Sequence, residues 1–583
     1  MKLIAMYIFV LFSSSLVFFL CCFLGLLLFK LLKLKSDTLD IHISNSFWVG
    51  YSIFIALLLS INIFLPINII STMPIFIILT TISIILNQKL IKYLKSNISV
   101  KYIACFVGLN ILAFIYLRSN TYDGGYSFDT YNYHFYILRL TNEYPAIKGI
   151  VNLFPHLSNM YSTIYHASFI KVFSPQYFFD NYLFFISVHT IFTAILVTVI
   201  LTFKKHVTEN KYSKNRHSTF YNDFTIISSF ILLAYPLSMP GAWDGSEKLL
   251  GHFPDIAYYL ISYVFILFFC KFLTEVNKIN LFMLVFIAAS VVFVKASSLF
   301  LVFTTLCVSS FVWFKQNKKN GRTYFLYIFL VAILIMPYIL QHTIKSGALV
   351  FPVSFTDMGL IWSNKVALKE YTAGALSWAR SNHIDPRGRE IAYMGWIKFW
   401  INAYSKFLLY HAVTYIILLG SLIIIFLKAN LFYERTVKNI LMFFIVWMPS
   451  MLFWFLTAPD VRFVGILFLV PVFVMLTLIY TYFGKIESIH ISVKHDKIIL
   501  IVALGLLLIK GGSEYHKILS LNRPIPNTDD TFIKEDYDGV DIYIGAWDVN
   551  KYCSYTTLLP CSLQRNYKFI DPKMWYEGFI PKE

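Results

Sequence analysis

Fourteen apolar runs, each near the length of a membrane-crossing helix, constrain this chain more than any other feature of its sequence. A helix needs about 20 mostly apolar residues to cross a hydrocarbon core about 30 Å thick. Runs of that kind lie at 4–32, 47–65, 68–87, 101–117, 181–203, 224–240 and 255–274. Others follow at 279–294, 298–314, 323–341, 405–427, 437–457, 461–483 and 497–510. The pair around 279–314 reads as a helical hairpin broken near Lys295, and the last run is short. Only 14% of the 583 residues are charged while 58% are hydrophobic, well outside the composition of soluble domains. The expectation is an all-α polytopic membrane protein with about 13–14 transmembrane helices.

The first run, Leu3–Leu32, is too long for a signal-peptide core and has no small-residue cleavage site after it. Lys30, Lys33 and Lys35 close it as a stop-transfer anchor would, so it reads as the first span. A net charge of +18 suggests nucleic acid at first sight, but the Lys and Arg residues sit in short segments between apolar runs, where they set orientation. With Lys30, Lys33 and Lys35 inside, alternation brings Lys89 to Lys101, then Lys204 to Arg216, to the same side. Lys271 and Lys278, Lys315 to Arg322, Lys428 to Lys438 and Lys485 to Lys497 follow them there. Both termini are then extracytoplasmic. Residue usage rich in Ile, Phe, Asn, Lys and Tyr resembles proteins of AT-rich bacterial genomes, and the expected location is a bacterial inner membrane.

This orientation divides the chain into N-terminal spans (1–117), a first outward loop (118–180), a central bundle (181–341), a second outward loop with amphipathic helices (342–404), C-terminal spans (405–510) and an outward tail (511–583). Inside loops are short and basic, whereas the outward segments carry the Gly, Pro, Asp, His, Trp and Arg clusters, so function is expected to face outward. In the tail, Cys553 and Cys561 flank a turn and could form a disulfide in an oxidising compartment; two free thiols are the alternative. The other cysteines fall in or beside spans, where a small apolar thiol needs no further account.

In the first loop Asp129 and Tyr133 lie one helical turn apart with His134 beside them, so a carboxylate, a phenol and an imidazole can converge. A sugar hydroxyl attacking an activated donor needs such a base. The plainer alternative is that Asp129 caps a helix opening at Thr130. Asp255 stands where a span begins and is either a first-turn acid or a second carboxylate facing the same cavity as Asp129. Such carboxylates could hold a divalent cation, although no ligand spacing marks one and no cofactor is otherwise implied. Lys295 interrupts an apolar region, as a functional cation at depth or as a side chain snorkelling to the outer interface. The second outward loop holds His342, Lys345, Trp378, Arg380, His383, Asp385, Arg387 and Arg389. An Arg fork there suits a lipid-phosphate headgroup, and a solvated helix on the membrane is its bland counterpart. Asp460 and Arg462 are wedged between two spans, so both are expected at the outer membrane surface. Arg462 is the strongest phosphate-gripping candidate, because a rigid element fixes it.

Lined up in order, these segments resemble the GT-C superfamily of polytopic membrane glycosyltransferases, and more narrowly a bacterial group found among surface-polysaccharide proteins. The resembling pieces are Trp48-Val-Gly, Phe64 to Asn68, Asp129 to His134, Asn152-Leu, Pro254-Asp255, Lys295-Ala-Ser, Ser346 to Pro352, Trp378-Ala-Arg380, Ala458 to Phe463 and Leu559-Pro-Cys561. The resemblance implies a lipid-phosphate-linked sugar as donor and a catalytic acid at Asp129. About three spans precede the first loop-bearing helix where better-known members have one, and their paired acidic motif is absent.

The expected function is glycosyl transfer, inverting or retaining, from a polyprenyl-linked sugar to a glycan or lipid-linked acceptor, among membrane lipids and without nucleic acid. Asp129 and His134 would serve as base, while Tyr133, Asp255, Lys295, Arg380, Asp460 and Arg462 would line the substrate site. An O-antigen-type repeat-unit polymerase is the nearest rival. A transporter or flippase is the more distant one, since no internal repeat is evident.

Overall fold

The computed structural model describes residues 2–34, 39–88, 91–92, 100–119, 133–174, 182–212, 220–234, 253–316, 321–381, 395–403, 434–460 and 463–483, with isolated positions between 405 and 505 and five short strands between 533 and 581. Among the described residues nine helices are long and apolar enough to cross a membrane, and two shorter apolar helices, Lys278–Val294 and Ile466–Tyr480, accompany them. The protein is a multi-pass helical membrane protein. The expected runs at 405–427 and 497–510 fall almost entirely outside the described residues.

The helices are α1 (Lys2–Leu31), α2 (Leu39–Phe64), α3 (Ile69–Leu86), α4 (Val100–Ser119), α5 (Phe135–Glu143), α6 (Ser162–Lys171), α7 (Leu183–Tyr212) and α8 (Phe220–Ala234). They continue as α9 (Phe253–Thr274), α10 (Lys278–Val294), α11 (Leu299–Gln316), α12 (Gly321–Ser346), α13 (Lys365–Ser381), α14 (Trp396–Ala403), α15 (Glu434–Thr457) and α16 (Val470–Phe483). Burial separates centre from rim. The apolar window of α9 is 94% buried and that of α7 is 89% buried, whereas those of α3 and α12 are each 22% buried. On α12 the exposed residues Phe325, Phe329, Ile333, Met336 and Leu340 recur every three or four positions, a single lipid-facing stripe. The opposite stripe carries Tyr324, Tyr327, Val331, Tyr338, Gln341, His342 and Lys345 inward.

Lipid tails are as apolar as Leu side chains, so helices in a membrane associate through close packing and hydrogen bonds rather than hydrophobic gain. Both are present. A Cβ on Gly25 would lie 1.9 Å from the Ser46 carbonyl oxygen and one on Gly50 would lie 1.7 Å from that of Cys21, so α1 and α2 touch backbone to backbone. Ser52 Oγ bonds Ser290 Oγ at 2.6 Å and donates to the Phe286 carbonyl at 2.9 Å, tying α2 to α10. His189 on α7 lies between Ser14 Oγ (2.7 Å) and the Asn110 carbonyl (2.9 Å), joining α1, α7 and α4.

One residue fixes which segments share a side of the membrane. Asn152, in a 3-10 turn over Ile150–Asn152, donates from Nδ2 to the carbonyls of Trp362 (2.9 Å) and Phe579 (3.3 Å) and accepts at Oδ1 from Asn364 Nδ2 (2.9 Å). The Phe579 amide in turn donates to the Lys148 carbonyl at 2.9 Å. The two long loops and the C-terminal tail therefore lie together, which requires an even number of crossings between 152 and 362. Among the described residues six helices, α7 to α12, occupy that interval. Gly149 adopts φ +62°, and a Cβ there would sit 2.1 Å from the Phe579 oxygen, so a side chain would lift the tail away.

The tail adds strands to the helical chain. β1 (Ile533–Tyr537) pairs antiparallel with β2 (Val540–Ile544), which pairs parallel with β3 (Cys561–Ser562). β4 (Tyr567–Phe569) pairs antiparallel with β5 (Phe579–Pro581). Segments of two to five residues are too short for periodicity to reveal in the sequence. Cys553, one end of the proposed Cys553–Cys561 bridge, lies outside the described residues.

Candidate functional site

The ends of α9, α11 and α15 nearest the two long loops gather several of the residues expected to carry chemistry. Asp255 lies in the first turn of α9, where helix amide groups favour an acid. Lys295 is the residue at which α10 stops, its backbone extended at φ −159° and ψ 129°, and Ser298 Oγ holds the bend by donating to the Lys295 carbonyl at 2.7 Å. The Lys295 ammonium forms an ion pair with the Asp255 carboxylate, and the two side chains are 12% and 10% exposed. The Phe463 ring covers the ammonium with its centroid 4.0 Å away. Lys295 therefore does not snorkel into water; it neutralises Asp255 within the protein.

Asp460 directly follows α15 and is 1% exposed, packed within the protein. Trp454 Nε1 donates to the Asp460 carbonyl at 2.8 Å and Trp400 Nε1 to the Pro459 carbonyl at 2.6 Å, so two indoles roof the connection. Rings large enough to shield a short turn from water keep the chain between two spans dry. Arg380, in the last turn of α13, lies 5.0 Å from the Trp396 ring centroid and donates from Nη2 to the Leu456 carbonyl at 3.2 Å. It thereby places a cation at the C-terminal end of α15, where exposed carbonyls favour one. Burial lowers the pKa of its guanidinium from the ordinary value, but an arginine stays charged at any physiological pH. Its buried Nε has no hydrogen-bond partner among the described residues. Arg462 lies outside the described residues, as does Asp129.

Beneath this cluster a seam runs inward between α9, α11 and α15. A cavity of about 20 Å³ lies under it, lined by Tyr258, Ser297, Phe300, Trp454 and Phe463 among others. A second, of about 10 Å³, lies between Phe269, Thr305, Phe443 and Trp447, and the two share Leu301 and Leu467. Phe300 and Phe453 stack at 4.4 Å along it. The seam is thus aromatic and aliphatic at depth and charged at its mouth.

Tyr133 and His134 belong elsewhere. His134 is 3% exposed, edge-on to Tyr133 (4.5 Å between centroids) and to Tyr161 (5.4 Å). Tyr133 meets His156 at 4.7 Å, and His156 meets Tyr371 at 4.9 Å. The Tyr371 hydroxyl accepts from Asn159 Nδ2 at 3.0 Å. Tyr371 and Arg380 both sit on α13, nine residues apart, which puts them about 14 Å apart along its axis and on opposite faces. Tyr371, which meets His156, and Arg380 therefore face opposite sides of α13. Among the described residues three or more His, Cys, Asp or Glu side chains do not gather anywhere to ligate a metal.

The boundary of the second outward loop also moves. His342 and Lys345 were expected in that loop, yet α12 continues to Ser346 and buries both. Their polarity ends the apolar run in sequence, while contacts such as Lys345 Nζ to the Tyr165 hydroxyl at 3.1 Å keep them in the helix. Asn152, His156 and Tyr371 were not singled out as site residues, because a lone Asn, His or Tyr carries no spacing signal.

A family model covers residues 6–470, nearly the whole helical part. The chain belongs to the family described as a domain of unknown function, DUF8201. The DUF8201 region takes in the Asp255–Lys295 pair, Arg380, Asp460 and Asn152, and it stops before the tail that docks on Asn152. No curated protein and no solved structure matches the chain.

Proposed function

We propose that this protein transfers a glycosyl unit from a polyprenyl-phosphate-type lipid donor to a surface polysaccharide or lipid-linked acceptor on the extracytoplasmic face of a bacterial inner membrane. The observation that carries this reading is the seam between α9, α11 and α15, apolar along its depth and cationic at its mouth. A lipid phosphate has the same polarity profile, with a hydrocarbon chain below and a charged group at the interface. Arg380 offers its unpartnered Nε to a phosphate oxygen. Lys295 can join it only by leaving Asp255, so Arg380, and Arg462 by its place in the sequence, are assigned the phosphate.

In the reaction the acceptor hydroxyl attacks the anomeric carbon and the bond from that carbon to the phosphate oxygen breaks. The electron pair leaves with the lipid phosphate, where the guanidinium charge stabilises it. The hydroxyl proton passes to a carboxylate base, a role assigned to Asp129 with His134 nearby in sequence.

A photoactivatable polyprenyl-phosphate analogue tests this with the full chain in nanodiscs. Peptides of α9, α11 and α15 are expected to be labelled, and Leu301→Trp, which fills both cavities, should reduce labelling and glycan output together. Asp129→Asn should keep the labelling and abolish the output. Normal glycan from Asp129→Asn, or labelling indifferent to Leu301→Trp, would sink the proposal. Single-unit chains after loss of the protein, rather than a missing sugar, would instead indicate a repeat-unit polymerase.

A further inference from the structure

Polar groups left unmatched inside the bundle meet at the outer end of α12. Gln341 is fully used there, its Nε2 donating to the Leu59 carbonyl (3.1 Å) and Asn62 Oδ1 (3.2 Å) while its Oε1 accepts from the Tyr165 hydroxyl (3.3 Å). Lys345 and His342 are not. Lys345 is 5% exposed and donates to the Tyr165 hydroxyl at 3.1 Å, and no carboxylate contacts it among the described residues. His342, one turn earlier, is 2% exposed, and neither ring nitrogen has a hydrogen-bond partner among the described residues.

The position of Lys345 in the last turn of α12 accounts for part of this, since helix carbonyls favour a cation there. It does not account for the remaining ammonium protons or for both imidazole nitrogens. A buried cation without a counter-ion is among the costliest arrangements a fold can hold. Among the described residues Lys295, by contrast, is matched by Asp255.

We infer that the outer end of α12 binds a small monovalent anion, a carboxylate group or a halide, between Lys345 Nζ and a ring N–H of His342. One cation calls for one negative charge. The surroundings also restrict size. The Phe351 ring lies nearly parallel to His342 with centroids 6.5 Å apart, and Ser158 Oγ donates to the Lys345 carbonyl at 3.4 Å, so two outward segments close over the place. The anion is either the carboxylate of an acidic sugar arriving from the outer face or a halide from the medium. The site is independent of the transferase reading, which uses α9, α11 and α15.

The test is thermal unfolding of the full chain in nanodiscs, held at fixed ionic strength in sodium isethionate and titrated with chloride, with glucuronate, and with glucose as the neutral control. At a hundredfold excess over Kd the wild type is expected to gain about 3–5 °C, saturably. Lys345→Met is expected to be at least as stable as wild type in isethionate, because it fills the same volume without a charge, and to lose the response. His342→Gln should weaken the apparent affinity about tenfold. A response to glucuronate alone identifies a sugar carboxylate, and one to chloride identifies a halide. If neither anion moves the wild type, or if Lys345→Met is destabilised in isethionate and still responds, the site does not exist. Should the methionine variant fail to accumulate, the wild-type titration and His342→Gln decide the matter.

Discussion

Removing either partner of the Asp255–Lys295 pair should destabilise the protein far more than removing both. The side chains are 10% and 12% exposed, so a survivor cannot recover its hydration in place. Breaking a buried ion pair on one side costs about 3–5 kcal/mol, because an uncompensated charge remains. Lys295→Met adds the loss of the contact with Phe463, about 0.5–2 kcal/mol, while a methionine still packs on that ring. Asp255→Asn combined with Lys295→Met leaves no buried charge, and replacing a buried pair by uncharged groups of similar volume is often close to neutral. The expected double-variant cost is about 0–2 kcal/mol, well short of the sum of the single costs, which implies a coupling of about 4 kcal/mol or more. Unfolding in mixed micelles of rising SDS fraction, followed by circular dichroism, measures all four corners of the cycle. If the single costs add in the double variant to within about 0.5 kcal/mol, the two charges do not compensate each other and the account of this site fails.

Two further outcomes follow from particular contacts. Asn152→Ala deletes three hydrogen bonds that join both outward loops and the tail, a loss of about 2–4 kcal/mol at about 1 kcal/mol each. Limited proteolysis of intact protein in nanodiscs should then cut the C-terminal segment at least tenfold faster, and an unchanged cutting rate would mean that the tail is held elsewhere. His166 on α6, between Tyr51 and Phe54, is fully buried with neither ring nitrogen hydrogen-bonded among the described residues, and burial pushes its pKa down to about 3. Above the ordinary histidine pKa near 6.5 it is neutral folded or unfolded and contributes no pH dependence. As pH falls below that value only the unfolded chain takes up the proton, so stability declines by up to about 1.4 kcal/mol per pH unit until the folded pKa is reached. A variant His166→Asn should flatten the loss between pH 6 and 4 by that slope, and an unchanged acid limb would show that His166 titrates freely.

The spans were legible because membrane crossing is a property of local composition. Phe325, Phe329, Ile333 and Met336 need no partner to declare α12 a membrane helix. The break at Lys295 was legible for the same reason, since a lysine cannot continue an apolar run unnoticed. What the lysine met was not. Asp255 lies forty residues away, and nothing local says whether a lysine at such a place reaches water or an acid. The extent of α12 misled in the opposite direction: His342 and Lys345 look like loop residues until Tyr165, far off in sequence, supplies a partner. The strands of the tail stayed hidden because pairs such as Lys534 with Tyr543 are formed between segments of five residues.

Charge balance orders Lys295, Arg380 and Lys345 by the work each cation has left to do. Lys295 is spent on Asp255, and its ammonium is further screened by Phe463, so an incoming anion must first displace an acid at contact distance. Arg380 is half committed: Nη2 holds the last turn of α15 while Nε faces no described acceptor. Lys345 has a phenol as its hydrogen-bond partner and no described acid. Affinity for an anion should rise along that series, because the Coulomb gain is largest where no fixed negative group already claims the charge. An anionic ligand is therefore expected to favour Arg380 and Lys345 over the Asp255–Lys295 pair.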